Sequence, residues 1–188
     1  ALVLAQSEKR VLLIDGDLRK PRLHKLFKLR NTHGLSTYLA GRNSGEELLG
    51  RGPLPNLAVI TAGPIPPNPS ELLSSERMKA LLDVLGGQFD IIICDSPPIL
   101  SVTDSRLLSR LFDGTILVTR GAKTTYEMAR RSLKLLRGVN AHVLGIVINA
   151  LDLKKHDYYY HQYYAAYQEE EKAAVVSERL ERVAGGKG

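Results

Sequence analysis

The 188-residue chain has no tryptophan, three phenylalanines and a single cysteine, Cys94. One thiol cannot close an intramolecular disulfide, which excludes a disulfide-stapled secreted scaffold and suits a reducing compartment. No apolar run reaches the roughly 18 to 20 residues of a membrane-crossing helix. The opening ALVLAQSEKR is too short in apolar residues for a secretory signal, and no basic segment precedes it. No tandem repeat is present. What remains is an ordinary globular composition, 44% hydrophobic and 24% charged, with enough apolar sequence for the core of one domain. The net charge of +6 suits phosphate ligands, nucleic acid or an anionic membrane face, and does not choose among them.

Against that background five apolar runs stand out: Val11 to Asp15, Leu57 to Thr61, Ile91 to Asp95, Thr115 to Thr119 and Val143 to Asn149. Continuous runs of this kind predict buried parallel strands. Helical patterns separate most of them. Met78, Leu81, Leu82 and Leu85 form one core-facing stripe, stopped by Gly86-Gly87. Leu107, Leu108, Leu111 and Phe112 form a second. Thr124 and Glu127 predict a capping box opening a third helix, which Gly138 ends. The proline-rich Gly63 to Pro69 is neither helix nor central strand. A helical pattern already under way at Ala1 predicts that the chain continues upstream. Strands alternating with helices indicate an α/β fold with a mostly parallel sheet covered on both faces. We expect a domain over 1–150 and a tail over 151–188.

In such sheets, ligands sit at the carboxyl ends of the strands. Asp15, Asp95 and Asn149 all lie there. In Val11-Leu-Leu-Ile-Asp15-Gly-Asp17-Leu-Arg19 two carboxylates follow a strand, and an arginine follows them. In Phe89 to Pro98 an apolar strand ends at Asp95 before a Pro-Pro turn, the form of a Walker B strand whose Asp holds Mg²⁺. Either motif alone also fits a solvated strand-end turn. Together they place three carboxylates at one sheet edge, where a metal or a basic phosphate-binding group relieves their repulsion.

These motifs, with GLSTYLAGR (34–42), AGPIPPNPSELLSSERM (62–78), TILVTRGAKTT (115–125), GIVINALD (145–152) and DYYYHQYYAAYQ (157–168), resemble the bacterial tyrosine kinases of capsule and exopolysaccharide export. That family lies in the Min/Par-type branch of P-loop NTPases. The resemblance covers nearly the whole chain. It implies ATP and Mg²⁺ as cofactors, and protein-tyrosine autophosphorylation that regulates polysaccharide polymerisation and export. It implies that Asp15 and Asp17 form a Walker A′ motif that helps bind Mg²⁺ and activates the attacking tyrosine hydroxyl, without dividing the two roles. Asp17 and Asp95 would hold the metal, with Asn149 and Arg120 at the nucleotide. Tyr158, Tyr159, Tyr160, Tyr163, Tyr164 and Tyr167 would be the phosphoacceptors, presented to neighbouring subunits of a ring. A membrane co-polymerase region or partner chain would hold the ring at the inner face of the cell membrane. No nucleic-acid partner is expected.

One departure matters. No G-x-x-x-x-G-K-[ST] occurs in the 188 residues, so the loop that cradles phosphates, and the first strand before it, are expected upstream of Ala1. The chain by itself is then expected to be a poor ATPase or none, with a vacant sheet position. Two other readings stand beside the kinase: a Par- or Min-type positioning ATPase, and a non-catalytic assembly module. Smaller features have plainer readings. Cys94 is a core residue. His156 and His161 are solvated. The basic residues from Arg19 to Arg30, and Arg130-Arg131, form exposed faces or a docking surface for the acidic tail or for anionic lipid. Ser70 to Arg77 opens a helix or makes a subunit contact near the nucleotide.

Overall fold

The computed structural model describes residues 1–151. The chain enters through helix α1 (Leu2–Gln6) into strand β1 (Val11–Asp15). Short helices α2 (Leu23–Leu26) and α3 (Leu35–Leu39) follow, then a two-residue strand β2 (Gly50–Arg51) and β3 (Leu57–Ile60). Next come α4 (Pro69–Leu73), α5 (Glu76–Gly86) and β4 (Ile91–Asp95). The described part closes with α6 (Asp104–Leu108), β5 (Thr115–Arg120), α7 (Tyr126–Arg137) and β6 (Val143–Asn149).

The main sheet has the order β2-β3-β1-β4. β1 pairs in parallel with β3 on one side and β4 on the other. Only the short β2 runs antiparallel. The core lies over this sheet. Leu12, Ile14 and Ile60 pack with Leu18, Leu35, Leu73, Met78, Leu81 and Leu85, all buried. The stripe expected on α5 is therefore its core face, and Ser75 caps that helix by accepting the Met78 N–H. α4 begins on Pro69, which supplies a preset φ where the helix needs no donor.

β5 and β6 form a separate two-stranded sheet. By compactness the described residues divide into a unit of Ala1–Leu117 with Tyr126–Ile146, and a second that takes in Val118–Thr125 and the residues from Val147 to Leu151.

All five expected strands form, but three are not buried as expected. β4 is the edge strand of its sheet, and its four apolar residues are half-buried. β5 alternates between half-buried and exposed, and β6 is exposed from Leu144 to Asn149. An apolar run creates a tendency to pair, but full burial needs a strand on each side and a layer on each face. Two further expectations change. The second stripe is helical only to Leu108; Leu111 and Phe112 pack on the core from the chain beyond it. Thr124 makes no capping box: α7 starts at Tyr126, and the Thr124 hydroxyl accepts the Arg120 N–H at 2.9 Å.

Candidate active site

β1 and β4 end together. Their parallel register pairs Asp15 directly with Asp95. The Gly16 N–H then donates to the Asp95 carbonyl at 2.8 Å, which locks the two strand ends at one level. Gly16 is required there: a Cβ would sit 2.6 Å from the Asp95 carbonyl oxygen and 2.7 Å from Cys94 Sγ. Glycine thus permits the close approach that brings the carboxylates together.

Asp15 is fully buried. Its Oδ2 accepts the N–H groups of Arg22 (3.1 Å) and Leu23 (2.9 Å), folding the following loop back over the strand end. Its Oδ1 is buried with no hydrogen-bond partner among the described residues. Desolvation pushes the Asp15 carboxyl above the ordinary carboxylate range, against the pull of its amide donors. Asp95 is also pushed up, first by desolvation and then by the neighbouring Asp15 charge. Asp17 is half-buried, and its Oδ1 accepts the Arg19 and Lys20 N–H groups at 3.1 and 2.9 Å. That turn is local to the Asp-x-Arg-Lys sequence. The site is therefore a patch of crowded negative charge with one buried acceptor unused.

Such a patch fits a cation. Among the described residues no three His, Cys, Asp or Glu side chains gather tightly enough to cage a metal on their own. Mg²⁺ does not need a cage: it is commonly held by one or two carboxylates, substrate phosphates and water. Cys94 beside them is no nucleophile, because burial and the Asp95 and Asp15 charges push its thiol up, away from the thiolate.

Arg120 and Asn149 end β5 and β6, and the Gly121 N–H donates to the Asn149 carbonyl at 2.7 Å, so these strand ends are level too. The Asn149 side chain accepts the Ala150 N–H, and both residues are exposed. The six tail tyrosines lie outside the described residues.

Sequence reasoning singled out Arg19 and Ser70 but missed Asp104, the residue that joins them at this site. Asp104, at the start of α6, is fully buried and takes a two-pronged contact from Arg19, with Nε–Oδ2 at 2.7 Å and Nη2–Oδ1 at 3.1 Å. Ser70 of α4 donates to Asp104 Oδ1 at 2.6 Å. Arg19 and Ser70 hold Asp104 below the ordinary carboxylate range although burial pushes the other way. The one signal available was an Asp at a helix start within SVTD, which reads as a plain helix-opening residue.

A ParA family model, described as NUBPL iron-transfer P-loop NTPase, matches residues 1–179. The chain is 36% identical over 156 residues to the putative tyrosine-protein kinase CapB of Staphylococcus aureus, covering 83% of this chain and 68% of that protein. The chain belongs to the bacterial tyrosine kinases. The kinase-family chain is also 44% identical over 156 residues to tyrosine-protein kinase YwqD of Bacillus subtilis, covering 83% of this chain and 66% of YwqD. The kinase domain of the Escherichia coli tyrosine kinase ETK superposes with a TM-score of 0.77 at 38% identity, covering 79% of this chain and 58% of that one. The kinase-family chain thus spans about two thirds of YwqD, and about a fifth of several other curated relatives. Its fold is the ParA/MinD-like P-loop NTPase fold. Among the described residues no helix is long and apolar enough to cross a membrane.

Proposed function

We propose that this chain is the metal-binding and acceptor-bearing part of a longer ATP-dependent protein-tyrosine kinase that phosphorylates its own tail and thereby regulates capsule or exopolysaccharide export. Residues 1–150 act as the kinase-domain part and 151–188 as the acceptor tail. The observation that carries the reading is the in-register pairing of Asp15 with Asp95 beside Asp17, in a site with surplus negative charge and a buried oxygen unpaired among the described residues. Bound Mg²⁺·ATP would supply an electrophilic γ-phosphoryl group whose charge the metal helps neutralise.

Asp17 and Asp95, the half-buried and exposed members of the trio, hold the metal. Asp15 or Asp17 orients the incoming tyrosine hydroxyl and takes its proton. The phenolic oxygen forms the new P–O bond as the bond to ADP breaks. The family resemblance assigns Asn149 and Arg120 to the nucleotide. Neighbouring copies present Tyr158, Tyr159, Tyr160, Tyr163, Tyr164 and Tyr167. Each phosphate adds about −1.5 to −2 charges, which pushes the tails of a ring apart. A membrane co-polymerase region of the longer chain, or a partner chain, holds the assembly at the cytoplasmic face of the membrane.

The first experiment is to read the upstream coding sequence and express the longer chain. A G-x-x-x-x-G-K-[ST] loop after an apolar strand, and phosphotyrosine at residues 158–167 by mass spectrometry after incubation with Mg²⁺·ATP, are expected. Asp95→Asn in that chain abolishes the modification while the protein stays folded. Absence of phosphotyrosine in the wild-type longer chain overturns the reading, and retained activity in Asp95→Asn overturns the metal assignment.

A further inference from the structure

Asp104 and Ser105 are neighbours in the first turn of α6, and both are buried. A buried carboxylate is strongly destabilising unless it is paired and hydrogen-bonded. Asp104 is satisfied by two distant segments. Arg19 donates Nε and Nη2 to its two oxygens, and Ser70 donates to Oδ1. Arg19 Nη2 also reaches Ser70 Oγ at 3.1 Å, which closes a triangle. Arg19 is the last residue of Asp15-Gly-Asp-Leu-Arg19, and its own N–H is held by Asp17 Oδ1. Ser105 turns the other way: its hydroxyl donates to the carbonyl of Pro97, two residues after Asp95. One helical turn therefore grips both loops that carry the site's carboxylates.

We infer that Asp104 and Ser105 form a positioning bracket that sets the Asp17 loop against the Asp95 loop. The inference rests on the kinase reading for its catalytic consequence and on the contacts alone for its structural one. Neither residue is asked to touch substrate or metal. Asp104 acts through Arg19, and Ser105 through the Pro97 peptide. Arginine suits the role because its planar fork fixes an angle as well as a distance, which a lysine ammonium does not. Misplacing a catalytic group by about 1 Å costs about a hundredfold in rate, so a bracket of this kind is worth more to turnover than to binding.

Two measurements test it. In the 188-residue chain, amide hydrogen exchange is followed in wild type, Asp104→Asn, Ser105→Ala and Arg19→Lys. Asp104→Asn and Arg19→Lys are expected to speed exchange across Asp17–Lys20 by about tenfold or more, and Ser105→Ala to do so at Ser96, while Leu12–Ile14 of β1 stay protected. In the longer chain, Asp104→Asn is expected to lower kcat for phosphoryl transfer about 10- to 100-fold with KM for Mg²⁺·ATP changed less than about threefold. The Asp104→Asn/Arg19→Lys pair is expected to be no worse than the more severe single variant, as one coupled unit requires. Unchanged exchange at both loops overturns the bracket whatever the activity. A lower Tm with unchanged kcat overturns its positioning role and leaves only a buried structural pair. If the wild-type longer chain transfers no phosphoryl group, the kinase reading fails, while the exchange experiment still decides whether the bracket exists.

Discussion

β1 and β6 are alike in sequence and opposite in circumstance. Both are apolar runs, VLLID and VLGIVIN, and both form strands. β1 lies between β3 and β4 and is buried at every position except Leu13, which is half-buried. Among the described residues β6 pairs only with β5, and its Leu144 and Ile148 are 62% and 59% exposed. Backbone pairing follows from local preference, whereas burial depends on how many neighbours the strand finds. The difference also separates two kinds of site. At the end of β1 a carboxylate is desolvated and its proton affinity rises; at the end of β6 the Asn149 side chain stays in solvent.

The largest effect that sharpens this contrast is in the middle of β1. Leu12→Ala should destabilise the chain by about 2–5 kcal/mol, because a fully buried side chain leaves a cavity. Urea denaturation measures it, and a loss below about 1 kcal/mol would break the claim that β1 is the packed centre. Next comes Gly16→Ala, expected to cost about 1–3 kcal/mol as its Cβ drives Asp95 and Cys94 away. The same substitution should also weaken Mg²⁺ binding in titration calorimetry on the longer chain. Unchanged stability and binding would show that the strand ends need not be level.

A smaller effect has the opposite sign. Asp95→Asn should raise Tm at pH 7. Asp95 has a higher proton affinity folded than unfolded, so its charged form opposes folding above the folded pKa. That penalty fades as pH falls, and below about pH 3.9, where the carboxyl is protonated in both states, wild type and Asp95→Asn should melt alike. A Tm that falls at pH 7 would mean that the carboxylate is held by donors rather than crowded. The smallest effect belongs to β6: Ile148→Ala should change stability by no more than about 0.5 kcal/mol, with less light scattering at high concentration. A cost comparable to that of Leu12→Ala would erase the contrast.

Much of the site was legible along the chain. Asp15 and Asp95 were readable because apolar runs mark strands and a parallel sheet gathers its carboxyl ends, and Asp17 because it follows Asp15 by two residues. Gly16, Asp104 and Ser105 were not readable as parts of the site, and Ser70 was read only as a helix start or a subunit contact near the nucleotide. Asp104 finds Arg19 across 85 positions and Ser70 across 34, and no local spacing encodes such a meeting. Likewise Thr124 and Glu127 satisfy the capping-box pattern, but the Arg120 N–H competes for the Thr124 hydroxyl and wins.

By itself the sequence determined the five main strands and the helices between most of them, the carboxylates at the strand ends, the core stripe of α5 and the resemblance that the comparisons upheld. These follow from periodicity and side-chain chemistry within a few residues. Tertiary structure alone decided which apolar strands are buried, that Asp15 faces Asp95 in register, that Asp15 Oδ1 is buried without a partner among the described residues, and that Asp104 joins the two loops. Each depends on groups far apart in the chain meeting at hydrogen-bond distance away from water, where desolvation and pairing energies are set by the neighbours that folding supplies.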